Sequence, residues 1–379
     1  MAKKKFSLGL TIFACLLALI IGFVAAFFIY TYASRETGGD VYVSGDLSIH
    51  FMAFENANSG DSIYIKAGDT DILIDAGSTR SSAATTAAYM NSYVTDNTLE
   101  YVIVTHADED HIAGFAGSNS SPGIFDRFDC ETIIDFPRTN KDTQVYKDYI
   151  DQREKTVAAG ATHYTALQCY KNEDGAQRTY ELGDGIEMEI LYNYYYEHDS
   201  NDENNYSVCV LFSQGDKHFL FTGDLEKEGE EYLVQENDLP EVELFKAGHH
   251  GSYSSSNDCL LNIIKPKIVC VSCCAGNVEY LNNAQTYEDL LHSFPAQEAI
   301  DRISKWTDQV YVTTLGKIYF DEKDGRYKNN GYAPMNGNIV VTSGRDGVTV
   351  ECSENNTLLK DTAWFKANRT MPDAWATAA

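Results

Sequence analysis

"VTHADEDHIAGF", residues 104–115, follows an apolar run and places two imidazoles and three carboxylates within six positions. These side chains are His106, Asp108, Glu109, Asp110 and His111. On a solvated loop, the carboxylates would only repel one another, whereas imidazole and carboxylate groups around a divalent cation form a set of ligands. The stretch therefore predicts a metal site at the end of a buried strand.

Three further groups of candidate ligands also follow predicted strands. Asp75 lies in "LIDAGS", Asp224 lies in "FLFTGDLE", and a pair of histidines lies in "FKAGHHGS". The run "EYVIVTH", which leads into the first cluster, is apolar enough for a strand that is buried on both faces. Because α/β folds gather the carboxyl ends of several strands at one crevice, we expect these loops to converge on a single site.

The residue types indicate which ions such a site would take. Imidazole with carboxylate suits Zn²⁺, and a shell rich in carboxylates shifts the preference toward Mn²⁺. Two ions about 3.5–4 Å apart could share Asp224 and a hydroxide, and could hold the oxygens of a phosphoester or a carbonyl group. The expected cofactors are therefore two divalent metal ions, Zn²⁺ or Mn²⁺.

The motif His-x-Asp-x-Asp-His, followed in order by "NNYSVCVLF", "TGDLE" and "KAGHHGS", resembles the metallo-β-lactamase family. The version with Asp108 is similar to the hydrolase domain of ComEC-type competence proteins. The resemblance covers residues 46–352. It implies an α/β fold in which two sheets lie between helices, an αββα four-layer sandwich. Because this fold supports many hydrolases, the resemblance says less about the substrate.

The resemblance implies metal ligands at six positions: His106, Asp108, Asp110, His111, Asp224 and His250. The first two would hold one ion, the next two would hold the other, and Asp224 would bridge both. One member of the pair His249 and His250 would complete the second site, and its neighbour would contact the scissile phosphate or the leaving group. The catalytic residues implied in this way are Asp110, His249 and His250.

The resemblance also implies residues that support the metal site. At other positions, the sequence departs from the family pattern. Asp75 matches a position that braces the metal loop, and Asn204 and Ser207 match an Asn-x-x-Ser element beside the site. A further metal-binding histidine of many related enzymes has no clear counterpart here. Phe294 stands before Pro295 where related competence proteins carry His. Residues 315–335 form an expected insertion, with the hypothesis that it covers the active site.

Local patterns predict the remaining elements. "SSAATTAAYMNSYV" (81–94) and "TQVYKDYIDQREKTVAAG" (143–160) are typical of helices. "IEMEILYNYYY" (186–196) predicts a strand, in which alternating burial accounts for the tyrosines. "KIVCVSCCAG" predicts a buried strand in which cysteine acts as a small apolar residue, and the cysteine spacing fits no zinc ribbon or disulfide framework. We therefore expect mostly free thiols.

The N-terminus has the pattern of a membrane anchor. Lys3, Lys4 and Lys5 precede residues 6–30, which contain no charged side chain and are long enough to span a bilayer as a transmembrane helix. Lysines before the span predict a cytoplasmic N-terminus and an extracytoplasmic remainder in a single-pass protein of the cell membrane. The alternative is a long signal peptide that is cleaved after the apolar stretch.

The expected organisation has four parts: a membrane anchor at 1–34, a linker at 35–45, a hydrolase domain at 46–352 and a C-terminal extension at 353–379. The extension carries Trp364, Phe365 and Trp375, and it is expected to pack back on the domain or against a neighbour. The length and the 44% hydrophobic content are sufficient for a large core.

The formal net charge of −27 counts against a processive DNA-binding protein, because such a surface repels polyanions. It does not exclude a phosphate-cleaving site that is centred on cations. The expected function is a membrane-anchored extracytoplasmic hydrolase that cleaves phosphodiester bonds, of which a nuclease is one form. A cell-surface phosphodiesterase acting on choline phosphate or teichoic acid is the close alternative. A non-catalytic surface binding protein is the alternative of another class, and the sequence names no protein partner.

Overall fold

The computed structural model describes residues 47–54, 56–277, 286, 290, 292–345 and 347–376. The predicted transmembrane helix over 6–30 and the linker at 35–45 lie outside these residues. Within the described ranges, no helix is both long enough and apolar enough to cross a bilayer.

The first sheet of the described chain has eight strands. Its strands are Leu47–Phe51 (β1), Ile63–Ala67 (β2), Thr70–Ile74 (β3), Thr98–Val104 (β4), Asp129–Asp135 (β5), Thr162–Thr165 (β6), Ile339–Gly344 (β15) and Gly347–Cys352 (β16). Their order is β16-β15-β1-β2-β3-β4-β5-β6. From β3 to β6 neighbouring strands are parallel, and the other pairs are antiparallel.

The second sheet also has eight strands among the described residues. They are Thr179–Glu181 (β7), Ile186–Ile190 (β8), Val210–Gln214 (β9), Lys217–Phe221 (β10), Leu244–Lys246 (β11), Ile268–Ala275 (β12), Val310–Asp321 (β13) and Arg326–Pro334 (β14). Their order is β14-β13-β12-β11-β10-β9-β8-β7, with parallel pairing from β10 to β13 and antiparallel pairing elsewhere.

Helices connect and cover these strands. They are Ser82–Met90 (α1), Glu109–Ala116 (α2), Gln144–Ala159 (α3), Ala166–Lys171 (α4), Lys227–Glu236 (α5), Asp258–Ile264 (α6), Gln297–Ile303 (α7), Ala363–Asn368 (α8) and Asp373–Ala376 (α9). The predicted helices over 81–94 and 143–160 correspond to α1 and α3. The Thr143 side chain accepts a hydrogen bond from the Tyr146 backbone N–H, which fixes the start of α3.

Alternation of side chains along the second sheet separates two apolar cores. Val210 and Phe212 of β9 join the core shared with the first sheet, whereas Leu211 between them joins the core under α5, α6 and α7. Phe51 and Phe221 stack across the two sheets, with ring centroids 6.3 Å apart. The predicted α/β class is confirmed at this level, as two mixed sheets with helices packed on them.

The strand predicted over 186–196 is wrong beyond Ile190. The chain instead forms a 3-10 turn over Tyr194–Tyr196. Asn193 causes this turn, because its side-chain oxygen accepts from the Tyr195 N–H while its amide donates to the carbonyls of Asn205 and Ser207. The tyrosines are therefore held by side-chain capping rather than by a strand ladder.

Residues 315–335 extend the second sheet. β13 continues without interruption to Asp321, and β14 pairs with it as an antiparallel hairpin at the sheet edge. Among the described residues, this hairpin contributes none of the lining of the cavity described below. Its nearest link is the Asn329 amide, which donates to the carbonyl of Ala57 at 3.2 Å.

The C-terminal extension packs back on the domain. Phe365 and Trp375 are buried in the core on the outer side of the second sheet. The Trp375 indole N–H donates to the carbonyl of Thr307, and Arg369 donates to the carbonyls of Ser293 and Pro295. The cysteines of the described chain are free thiols, as expected.

Candidate metal centre

The end of β4 and the start of α2 carry the first group of candidate ligands. Asp108 occupies the N-cap position of α2, yet its side chain makes no capping hydrogen bond. His111 is fully buried one turn later. Asp110 lines the cavity that is described below. The helix lies close against the loop after β3, because Gly114 has no side chain: a Cβ atom there would be 2.0 Å from the Ala76 carbonyl oxygen.

Asp75 ends β3 with a left-handed backbone, φ 57°, and is completely buried. One of its carboxylate oxygens accepts from the Thr105 backbone N–H at 2.8 Å. The other accepts from the Thr105 hydroxyl and from His111 Nδ1, each at 2.7 Å. Because these contacts occupy the carboxylate, Asp75 is placed to fix the His111 ring with Nε2 turned toward the cavity.

Asp224 follows β10 through a tight turn at Gly223. The Asp224 backbone N–H donates to the Ser207 hydroxyl at 3.1 Å. A Cβ atom at residue 223, where φ is 54°, would lie 2.8 Å from that hydroxyl oxygen. The turn therefore requires glycine, and it holds the buried Asp224 carboxylate against the loop that carries His111.

The two histidines after β11 lie in a 3-10 turn over Gly248–Gly251 with left-handed backbones, φ 43° at His249 and φ 53° at His250. Residues with a β-carbon rarely adopt this conformation, and such strain is concentrated at functional sites. His250 Nδ1 donates to the carbonyl of Ser272 at 2.8 Å. This bond leaves His250 Nε2 free to face the carboxylates.

One compact group of donor atoms results. Ligand atoms of four residues lie within 4.8 Å of one another: Asp110, His111, Asp224 and His250. The Oδ2 atom of Asp224 is 3.0 Å from His111 Nε2 and 3.1 Å from His250 Nε2. Donors about 2.0–2.1 Å from one tetrahedral ion would be about 3.3 Å apart, so this set fits a single divalent cation.

His106 and Asp108 lie beside this group. His106 is fully buried, its Nδ1 lies 3.1 Å from the Thr105 hydroxyl, and its Nε2 has no hydrogen-bond partner. That Nε2 is 3.6 Å from an oxygen of Asp108. A buried imidazole nitrogen with no partner is costly unless it binds an ion, so this pair fits a second, adjacent metal position. The other oxygen of Asp108 pairs with Lys141.

The electric field of the site is set by its carboxylates. Burial opposes protonation of His111 and His250, yet the nearby acids, Asp224 first, hold both pKa values well above the usual range. Burial would raise the pKa of Asp224, but the two imidazoles and Lys246 hold it well below the usual range. The cluster therefore demands positive charge, which protons or a metal ion would supply.

Asp108 differs from the other carboxylates. Burial and the neighbouring Asp110 charge raise its pKa to about 6, although the Lys141 ammonium acts in the opposite direction. Its side chain is 24% exposed, against 2% for Asp224. Asp108 and Asp110, which is 38% exposed, are therefore the two candidate ligands that reach solvent, whereas His106 and Asp224 are buried.

His249 points to the cavity without joining the four-residue group. Its Nδ1 lies 3.2 Å from a carboxylate oxygen of Glu226 and 3.5 Å from the Asn204 amide. The Ser254 hydroxyl donates to the same Glu226 oxygen at 2.8 Å. Of the histidine pair, His250 thus joins the candidate ligands, whereas His249 lies outside that group and lines the cavity.

Sequence reasoning missed two buried charges beneath the site, Asp61 and Lys246. Both are almost completely buried, and they pair at 2.5 Å. Lys246 lies in the apolar strand β11, where a charged residue is unusual, and this was the available signal. Asp61 follows "NSG", a pattern that is equally typical of an ordinary surface turn.

The site opens into a polar cavity of about 480 Å³. Its lining includes Asp108, Glu109, Asp110, Asn204, Asp224, His249, His250 and Phe294. The four-residue group and the pair His106 and Asp108 would hold divalent ions, which would supply Lewis acidity and an activated water, and His249 lines the same cavity. The arrangement suits metal-dependent hydrolysis.

Part of the chain matches a known family. Residues 56–118 and 198–275 match the family model described as the metallo-beta-lactamase superfamily. A metallo-beta-lactamase of Cronobacter sakazakii with an HARLDQ motif is similar in structure, with a TM-score of 0.32 and 14% identity, over 52% of this chain and 72% of that chain.

Two curated relatives are similar in sequence. ComE operon protein 3 of Bacillus subtilis is 24% identical over 182 residues, which are 47% of this chain and 20% of the relative. Recombination protein 2 of Haemophilus influenzae is 30% identical over 70 residues, 18% of this chain and 9% of the relative. The chain therefore spans a fifth or less of these relatives. Two segments of the chain are similar to the metallo-beta-lactamase superfamily, and about half of the chain is similar to part of ComE operon protein 3.

Proposed function

We propose that the chain is a metal-dependent phosphodiesterase that uses two divalent ions, Zn²⁺ or Mn²⁺. The observation that carries the proposal is the ligand-like convergence of Asp110, His111, Asp224 and His250 beside the unpartnered Nε2 of His106. This donor set has the mixture of imidazole and carboxylate that both ions accept. The phosphodiester substrate is supported by the similarity to a ComE operon protein and a recombination protein.

Each residue then has a defined task. When bound, the ions supply an activated water and positive charge against the phosphate oxygens. Asp75 keeps the His111 ring oriented through its 2.7 Å hydrogen bond. Nδ1 of His249 donates to Glu226. Burial opposes protonation of the ring, yet Glu226 and Asp224 raise its pKa, so the protonated ring would carry a second N–H on the nitrogen that faces the cavity. His249 is therefore placed to donate that proton to the leaving oxygen.

The test uses the full-length chain, purified in detergent without chelator, beside Asp110→Ala. We expect about two ions per chain by mass spectrometry and turnover of bis(p-nitrophenyl) phosphate with Zn²⁺ or Mn²⁺. Asp110→Ala should lose one ion and at least about 100-fold in turnover, since even partners outside the ligand shell are worth about 10- to 100-fold.

Glu109→Ala is the matched control. Glu109 lines the same cavity one position away, but it is not in the group of four ligands. Its loss should leave the metal content unchanged. A wild-type chain that binds neither ion and hydrolyses nothing would contradict the proposal and favour a non-catalytic binding protein.

A choline-phosphate ester is the second candidate substrate, and one observation favours it. The chain has a net charge of −27, and Glu109 lines the cavity outside the set of candidate ligands, which favours a substrate with a cationic headgroup over a polyanion. Teichoic acid with choline phosphate belongs to the same class. Turnover of p-nitrophenyl phosphorylcholine and of double-stranded DNA, measured side by side, distinguishes the two.

We propose further that residues 6–30 anchor the protein in the cell membrane, with the catalytic domain outside. The uncharged stretch after three lysines supports this placement. The expected result is that the protein stays in the membrane fraction after carbonate extraction and that protease added to protoplasts digests the domain. Release of the protein by carbonate would contradict the anchor.

A further inference from the structure

A fully buried lysine lies directly under the candidate metal centre. The Lys246 ammonium is 2.9 Å from Asp224 Oδ1, 2.5 Å from Asp61 Oδ2 and 2.8 Å from the Gly223 carbonyl oxygen. These three acceptors use all three of its N–H donors. The ammonium is thus fixed in position.

Burying the Lys246 ammonium costs its free energy of hydration, so the presence of a lysine at this position needs an explanation. Lys246 is 1% exposed and Asp61 is 1% exposed. A buried ion pair is often no more stabilising than a well-packed apolar pair, because both charges lose their hydration. Stability alone therefore does not account for a lysine in this strand.

The two oxygens of Asp224 have different surroundings. Oδ1 accepts from Lys246, whereas Oδ2 lies 3.0 Å from His111 Nε2 and 3.1 Å from His250 Nε2. Only Oδ2 faces the other candidate ligands. If Lys246 were absent, both oxygens would be available to a cation.

We propose that Lys246 is a positioning residue that restricts Asp224 to one ligand oxygen and thereby sets the metal preference of the centre. This inference rests on the proposed function only for the presence of a metal. With one oxygen from Asp224, the four residues supply four donors, which suits tetrahedral Zn²⁺. With both oxygens, the coordination number rises, which suits Mn²⁺.

Asp61 supplies the control, because it pairs with Lys246 and contacts neither oxygen of Asp224. Its other oxygen lies 3.4 Å from His250 Nδ1, whereas His250 Nε2 is the nitrogen that faces the carboxylates, so Asp61→Asn leaves the oxygens of Asp224 as they are. In Asp61→Asn, Lys246 still holds Asp224 Oδ1. In Lys246→Met, Asp224 Oδ1 is released, but Asp61 is left buried and unpaired. The double variant Asp61→Asn, Lys246→Met also releases Oδ1 and removes the unpaired charge, so it keeps the test usable if the single variant does not fold.

The measurement is the ratio of Zn²⁺ to Mn²⁺ affinity, from competition with a chromophoric chelator, on the full-length chain in detergent. We expect the ratio to fall by about 10- to 100-fold in Lys246→Met and in the double variant, as is typical when a partner of a metal ligand is lost. In Asp61→Asn the ratio should stay near that of the wild type.

Co²⁺ gives a second readout, since its visible bands weaken as its coordination number rises. Both Lys246 variants should show weaker bands than the wild type. A Zn²⁺ to Mn²⁺ ratio and a Co²⁺ spectrum that are unchanged in the double variant would overturn the inference, even if its stability differs. A wild-type chain that binds no metal would overturn the proposed function as well, and the two failures are thus distinguishable.

Discussion

Asp75 and Asp135 show that two buried carboxylates, each with three hydrogen bonds, need not have the same role. Asp75 accepts from Thr105 and from the candidate ligand His111. Asp135 accepts from Tyr149, Arg153 and His163, away from the donor group. The first orients a ring whose other nitrogen faces the cavity, and the second joins β5, β6 and α3.

Asp75→Asn is expected to lower the metal affinity by about 10- to 100-fold, because an amide N–H₂ group turned toward His111 cannot accept from its Nδ1. Titration with Zn²⁺ and a competing chelator measures the change. Asp135→Asn is the control, which should lose stability but keep its metal affinity. Equal affinity loss in both variants would show that the effect is one of folding alone.

His50 gives a prediction for pH. It is 2% exposed and bonds to Tyr89 and Ser48, and burial lowers its pKa to about 4. The unfolded chain takes up this proton near pH 6.5, whereas the folded chain does not. The free energy of unfolding should therefore fall by about 3 kcal/mol as the pH falls from about 6.5 to about 4.

Urea unfolding of the wild type and His50→Gln between pH 4 and 8 checks this expectation. The stability difference in favour of the wild type should shrink as the pH falls. A difference that is constant across the range would show that His50 does not change its protonation on unfolding in this window.

Among single residues, the sequence predicted the cluster of candidate ligands but not the two buried charges beneath it, Asp61 and Lys246. The resemblance and the strand-end motifs predicted residues that the fold brings together, including His106, Asp110 and Asp224. Asp61 and Lys246 were missed, because a charge contacting a ligand from below leaves no spacing pattern. Asp61 belongs to the loop before β2 and is distant from Lys246 in the chain, so only the tertiary structure joins them.

Among the elements, α2 depends on one close contact. A Cβ atom at residue 114 would lie 2.0 Å from the Ala76 carbonyl oxygen, and backbone atoms cannot yield as a flexible side chain can. Gly114→Ala should therefore shift α2, cost about 1–3 kcal/mol of stability and weaken metal binding, since α2 carries Asp110 and His111. Thermal unfolding and metal titration measure both effects.

Gly344→Ala is the matched control, because a Cβ atom at that position would meet nothing within 4 Å. It should leave both measurements near those of the wild type. If Gly114→Ala also behaved like the wild type, the close packing of α2 on the β3 loop would not be a requirement of the site.

Elements were predictable where apolar periodicity was strong. β4 and β12 are buried strands as expected, and α1 and α3 have the predicted positions. The prediction failed at 192–196, where Asn193 caps a turn that aromatic content alone does not reveal. The segment at 315–335 stays predicted as an insertion, and in the structure it belongs to β13 and β14, which pair as an antiparallel hairpin.

The whole molecule carries a charge of −27, and this predicts an unusual dependence on salt. Raising the ionic strength from about 0.01 M to about 0.15 M shortens the Debye length from about 30 Å to about 8 Å, which weakens the repulsion of DNA. The kcat/KM for DNA should therefore rise by about tenfold. The kcat/KM for bis(p-nitrophenyl) phosphate, a monoanion, should change little.

Steady-state kinetics at fixed metal concentration provides the measurement. Proteins that bind DNA through basic surfaces lose affinity as salt rises, because counterions released into a more concentrated solution gain less entropy. A falling kcat/KM for DNA would therefore point to a local cationic track that outweighs the net charge of the chain.

The candidate ligands come from both sheets. A bound ion would therefore affect the stability of the fold as well as the chemistry of the site. His111 follows β4 of the first sheet, and Asp224 follows β10 of the second, 113 positions later. An ion shared by the two would tie the halves of the sandwich together and favour the folded chain by mass action. Since proteases act on transiently opened chains, the lifetime of this protein in a cell would follow the local supply of metal.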